Sequence, residues 1–191
     1  GEATGRAAWT DWKASLVADL VKRVALAITD NTVALQPELT QSQRIKADSG
    51  ALAVSIEDRD SVYAIEIVVP DKTGLLSIVA GVLNLLRLDV RSARTKSHGN
   101  SAVMEWIVIP DPHAPALTEK NLHHEIEEAL RNKSSLAARI KERIEVYAQL
   151  PTIPVPAPVV ETFLDAATDA TIIEVRSHDR PALLFGIGDT I

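Results

Sequence analysis

From residue 51 onward the spacing of hydrophobic positions changes several times, and each change predicts an element. ALAVSIEDRDSVYAIEIVVPD carries two β-branched runs around the polar stretch 57–61, which predicts a hairpin of strands 51–57 and 61–69. After Gly74, the residues Leu75, Ile78, Val79, Val82, Leu83 and Leu86 follow a helical period, so a tight turn leads into a helix that ends near Leu88. DVRSARTKS and SAVMEWIVI, separated by His98, Gly99 and Asn100, predict a second hairpin whose turn tolerates positive φ. Pro110-Asp111-Pro112 ends it. Leu122, Ile126 and Leu130 within 118–132, then Leu136, Ile140, Ile144 and Tyr147 within 135–150, predict two amphipathic helices.

Outside this region the pattern is different. Trp9, Trp12, Leu16, Leu20, Val24 and Ile28 fall on one stripe of a helix, and two tryptophans on one stripe require a partner surface. Residues 29–50 lose the period and contain Pro37 and Gly50, which predicts a linker with one short helix near 38–46. PTIPVPAPV, with four prolines in alternation, predicts an extended spacer, and a second unit begins after it. That unit repeats the first. At a shift of 108 residues, 51–76 and 159–184 align without a gap, matching Ile65 with Ile173, Glu66 with Glu174, Asp71 with Asp179, and Leu75-Leu76 with Leu183-Leu184. A period of this size indicates duplicated domains rather than a solenoid, whose repeats run to about 20–50 residues.

Composition removes several classes of function. The 191 residues can bury one medium core or two small ones, which argues against a single large enzyme fold. With 26 acidic against 20 basic residues, the surface is expected to repel phosphate backbones and anionic lipid, so neither nucleic acid nor membrane is an expected partner. There is no cysteine, which fits a reducing cytoplasm and removes thiolate metal ligation. The longest apolar stretch, 75–88, is interrupted by Ser77, Asn84 and Arg87 and is too short to span roughly 30 Å of hydrocarbon. Gly1 in place of an initiating methionine predicts a piece of a longer chain.

The phrases DKTGLL (71–76) and DRPALL (179–184), with LDVRSAR after the first helix, resemble the ACT domain, a small ferredoxin-like module that binds amino acids in regulated enzymes. The resemblance implies an α+β fold. The extra leading strand implies a circularly permuted order, ββαββα, in which 51–57 stands in for the fourth strand. EATGRAAWTDWKASLVADLV resembles the segment closing the HD hydrolase domain of the bifunctional PII uridylyltransferase/uridylyl-removing enzymes, a family that continues with two ACT domains. On that basis 1–36 is the end of an HD-like domain, 37–50 a linker, 51–150 the first ACT domain, 151–158 a proline-rich linker, and 159–191 the truncated start of a second ACT domain. The resemblance further implies Mg²⁺-dependent transfer of UMP to the nitrogen regulator PII, hydrolytic removal by the HD domain, and glutamine as the signal. In actinobacterial relatives, among which this chain is placed, AMP is the alternative group.

No residue set for catalysis or metal binding is visible in this chain. His123 and His124 are adjacent on a helix and face about 100° apart, while His98, His113 and His178 fall in turns. The chemistry lies in the turn. A helix N-terminus offers backbone N–H groups and partial positive charge, so Gly74, Leu75 and Leu76 suit a ligand carboxylate, and Asp71 suits a ligand ammonium or amide. The structural alternative is that Asp71 caps the helix, Gly74 relieves the turn and the leucines are core. The first turn has Lys72-Thr73 where the family has Arg-Pro, and Ala182 stands where the family has glycine, beside Asp179, Arg180, Pro181 and Leu183. A methyl at Ala182 is expected to obstruct close approach. Two rival functions remain at this stage: a ligand-independent ACT assembly module, and the regulatory tail of an amino-acid biosynthetic enzyme. Leu183, Leu184 and Ile187 are expected to be disordered or covered by a neighbouring molecule, with dimerisation through ACT edges or tail exchange.

Overall fold

Four strands pair into an antiparallel sheet whose two central strands, 62–70 and 101–110, carry most of its buried side chains. The computed structural model describes residues 38–148, 156–163 and 172–190. The helix predicted over 9–28, the assigned HD-like segment 1–36 and most of the proline-rich spacer lie outside the described residues. By its internal contacts the chain divides into two compact parts, Gly1–Gln41 and Ser42–Ile191, and both repeats lie in the latter.

The described order begins with helix α1 (Gln41–Asp48), strands β1 (Ala53–Arg59) and β2 (Val62–Pro70), and helix α2 (Leu75–Leu85). Strands β3 (Leu88–His98) and β4 (Ser101–Pro110) follow, then helices α3 (Glu119–Arg131) and α4 (Lys133–Ala148). A second group comprises β5 (Val159–Phe163), β6 (Ile172–Arg176) and α5 (Leu183–Thr190). The first four strands lie in the order β1-β2-β4-β3, antiparallel throughout. This is an α+β, ferredoxin-like ACT-type arrangement. The leading strand β1 takes the edge beside β2, pairing from Ala53 opposite Val68 to Arg59 opposite Val62.

The two faces of the sheet are covered differently. Ile65, Ile67 and Val69 of β2 and Ala102, Met104, Trp106 and Val108 of β4 enter a core with Ile78, Val79 and Leu83 of α2, Leu122 and Ile126 of α3, and Leu136 and Ile140 of α4. Each valine, leucine or isoleucine among them contributes roughly 1.5–3 kcal/mol on burial. On the opposite face Val68 and Val103, paired in register, are also fully buried, and α1 presents the buried Gln43 and Ala47 there. Across that face the register aligns Ser55, Glu66, Glu105 and Arg94, one residue from each strand.

The turns explain the boundaries. Asp60 at φ 58° and Gly99 at φ 56° supply the positive φ that two-residue hairpin loops require. Helix α2 stops at Leu85, short of the expected Leu88, because Arg87 takes the left-handed conformation at φ 58° and Leu88 already belongs to β3. Thr118 caps α3 through its hydroxyl, which accepts from the Asn121 N–H at 3.2 Å. The short helix expected near 38–46 occupies Gln41–Asp48. Beside the first hairpin turn, a hydrogen bond from Arg59 and its charge hold the exposed Glu57 carboxyl below its ordinary range.

Two expectations about the second unit are corrected. The ungapped alignment holds from β6 through the turn into α5, but β5 pairs Val159 with Arg176, where the first hairpin's register would place Glu161. A two-residue slip keeps every side chain on its face, so the hydrophobic pattern does not resist it. Helix α5, expected to be disordered or covered by a neighbouring molecule, instead packs within the chain, where Leu184 and Phe185 lie against the core of the first unit.

Candidate functional site

Two left-handed residues open two helices. Gly74, at φ 78°, is the N-cap of α2, and no side chain caps that helix. Asp71 therefore does not cap it. The Asp71 N–H instead donates to the Asn100 carbonyl at 2.9 Å, and its carboxylate accepts from the Ser97 hydroxyl at 3.4 Å. Asp71, Lys72 and Thr73 line an open depression of about 430 Å³ with Gly99 and Asn100. Leu75 is buried in the core, whereas Leu76 is exposed.

Lysines shape the rest of the turn. Lys72 folds back so that its ammonium donates to the Leu130 carbonyl at 2.9 Å, at the C-terminal end of α3 where carbonyls carry partial negative charge. Lys133, at the start of α4, pairs with Asp189 of α5 at 2.6 Å. A β-carbon at Gly74 would lie 3.4 Å from the same ammonium. The turn thus joins α2, α3, α4 and α5.

The second turn repeats this backbone. Ala182 is left-handed at φ 60°. Leu183 N–H donates to the Arg180 carbonyl at 3.2 Å as Leu75 N–H does to the Lys72 carbonyl at 3.3 Å, and Gly186 to Ala182 matches Ile78 to Gly74, both 3.0 Å. Asp179 and Arg180 are exposed. The Ala182 methyl packs into the core. The two helices also meet at equivalent residues, since the Ser77 hydroxyl donates to the Phe185 carbonyl at 3.0 Å across a separation of 108 residues.

Ser97, Gly99, Asn100 and Lys133 carry no site signal in the sequence. Gly99 and Asn100 were legible as a turn, but only the pairing of Pro70 with Ser101 brings that turn beside Asp71. Among the described residues no group of three or more His, Asp or Glu side chains is placed to hold a metal ion. No described helix is long and apolar enough to cross a membrane. His98, expected in a turn, ends β3 and lies 3.0 Å from Asp48.

No family model matches the chain, and no solved structure does. Curated relatives do. A bifunctional uridylyltransferase/uridylyl-removing enzyme of Mycobacterium tuberculosis is 34% identical over 197 residues, covering 96% of this chain and 24% of the relative. The chain belongs to this family. The enzyme of that name from Streptomyces coelicolor is 30% identical over 239 residues, covering 97% of the chain and 28% of the relative. That of Pseudomonas entomophila is 26% identical over 151 residues, covering 74% and 16%. The chain therefore spans about a quarter of the length of its actinobacterial relatives among the uridylyltransferase/uridylyl-removing enzymes.

Proposed function

We propose that this chain is a regulatory, glutamine-sensing region of a nucleotidyltransferase that adds UMP, or AMP, to the PII protein in the cytoplasm and removes it again. The observation that carries the reading is the 34% identity, over nearly the whole chain, with an enzyme named for both activities. Transfer and hydrolysis, with Mg²⁺, are assigned to other domains of that enzyme. The described residues offer no donor set that fits the ion.

In this reading the ligand occupies the depression at the first turn. Its carboxylate meets the backbone N–H groups at the start of α2, where the left-handed Gly74 leaves the approach clear of a β-carbon. Its ammonium meets the Asp71 carboxylate, and its side-chain amide meets polar groups of Thr73 and Asn100. Asp179, Arg180, Pro181, Ala182 and Leu183 form the corresponding turn of the second unit, with Asp179 and Arg180 the exposed polar pair.

A second reading, an assembly module that binds no ligand, is favoured by one observation: α5 closes on α2 through Ser77, Gly81 and Gly188, small residues that permit close helix contact. Calorimetry separates the two. This chain is expected to bind glutamine weakly or not at all, and a longer chain with a complete second unit is expected to release heat and melt higher in saturating glutamine. A longer chain that shows neither response leaves assembly as the function.

A further inference from the structure

Segment 97–101, where β3 turns into β4, is held from two sides. Toward the candidate site, the Asn100 carbonyl accepts from the Asp71 N–H at 2.9 Å and the Ser97 hydroxyl lies 3.4 Å from the Asp71 carboxylate. Toward α1, the buried Ser101 hydroxyl donates to the Ala47 carbonyl at 2.7 Å, and His98 Nε2 lies 3.0 Å from Asp48 Oδ1. The first pair of contacts ends on the residue that opens the site. The second pair ends in the last turn of α1.

Helix α1 is also held along its length. Glu66 and Glu105 stand directly opposite each other on β2 and β4, an arrangement of like charges that destabilises a bare sheet. Gln43, only 5% exposed, donates its amide to both carboxylates at 2.9 Å, and Lys46 donates to Glu66 at 2.7 Å and to Ser55 at 2.8 Å. Release of α1 removes this compensation from the two strands whose ends, Pro70 and Ser101, frame the site. Docked α1 and an ordered site turn therefore favour each other, and such coupling is reciprocal.

We infer that α1 is a strap: its docking on the outer face of the sheet is coupled through segment 97–101 to the turn at 71–74, so that a ligand ordering that turn also steadies α1. The inference rests on the amino-acid-site reading only for the identity of the ligand. The mechanical coupling belongs to the chain with or without it.

Native-state hydrogen exchange on the full chain tests the strap from both ends. Gln43→Ala and Asp48→Ala weaken α1, and both are expected to speed exchange of the Ser49 amide, bonded to the Ile45 carbonyl, and of the Asp71 amide, on the order of five-fold each. The Ile126 amide within α3, which touches neither end of the coupling, is expected to hold its rate. Asp71→Ala, from the other end, is expected to speed exchange at Ser49. Should Gln43→Ala unfold the chain, Asp48→Ala decides, because the Asp48 side chain is 70% exposed. A faster Ser49 with an unchanged Asp71 overturns the strap. Saturating glutamine separates the two proposals. In a chain with two complete units, binding that slows Ser49 exchange supports both, binding that leaves Ser49 unchanged overturns the strap alone, and absence of binding overturns glutamine sensing while the variants still decide the coupling.

Discussion

Gly74 and Ala182 hold the same left-handed backbone at φ 78° and 60°, and the two residues meet its cost differently. Glycine carries no steric penalty there, whereas alanine bears about 1–2 kcal/mol. Gly74→Ala adds that strain and recovers some of it by restricting the unfolded chain, so we expect a net loss of about 1 kcal/mol in urea unfolding. Ala182→Gly relieves the strain but loses about 0.8 kcal/mol of methyl burial and a similar amount of backbone entropy, so we expect stability to change by less than about 0.5 kcal/mol. Equal and opposite effects would refute the account. Ala182 is tolerated because its methyl fills core space, and burial of this kind leaves no mark in a single sequence.

At the scale of elements, the contact of α2 with α5 depends on what is absent from Gly81 and Gly188. A β-carbon at Gly81 would lie 2.8 Å from Ile140 Cδ1, 2.9 Å from Phe185 Cδ2 and 3.2 Å from Leu136 Cδ2. One at Gly188 would lie 3.2 Å from Ser77 Cβ and 3.3 Å from the Ser77 backbone. Gly81→Ala gains about 1 kcal/mol of helix propensity and incurs about 1–3 kcal/mol of overpacking. We expect a net destabilisation of about 1 kcal/mol in thermal or urea unfolding, and a smaller one when Phe185→Ala has vacated part of the space, because Ile140 still stands 2.8 Å from the added carbon. Additive effects of the two substitutions would show that Phe185 is no part of the obstacle. Sequence periodicity identifies α2 without accounting for Gly81. Packing explains it.

For the whole molecule, the repeat is unequal in support. Strand β2 lies between β1 and β4, whereas its counterpart β6, among the described residues, pairs with β5. A two-stranded ribbon is marginal in water. Val159, Val160 and Ile173 are exposed on it, which lessens what burial contributes. We expect the β6 amides to exchange much faster than those of β2, close to the rates of local fraying. Equal protection would mean that the second unit is stabilised by contacts beyond these. Charge acts at this scale too: the chain carries a net charge of −6, while the opposed Glu66 and Glu105 are answered locally by α1.

What the sequence by itself determined is what depends on neighbours in the chain. Hairpins, helix starts, the turn residues Asp71 and Gly74, and the duplication are written in local period and turn chemistry, because backbone sterics and side-chain spacing act within a few residues. Tertiary structure decided whatever depends on register and packing: the β3–β4 turn beside Asp71, Lys133 bridging to α5, the buried methyl of Ala182, and the slipped pairing of β5 with β6. Those arise from contacts between residues far apart in the chain. A period of two or 3.6 places a side chain on a face without saying what that face will meet.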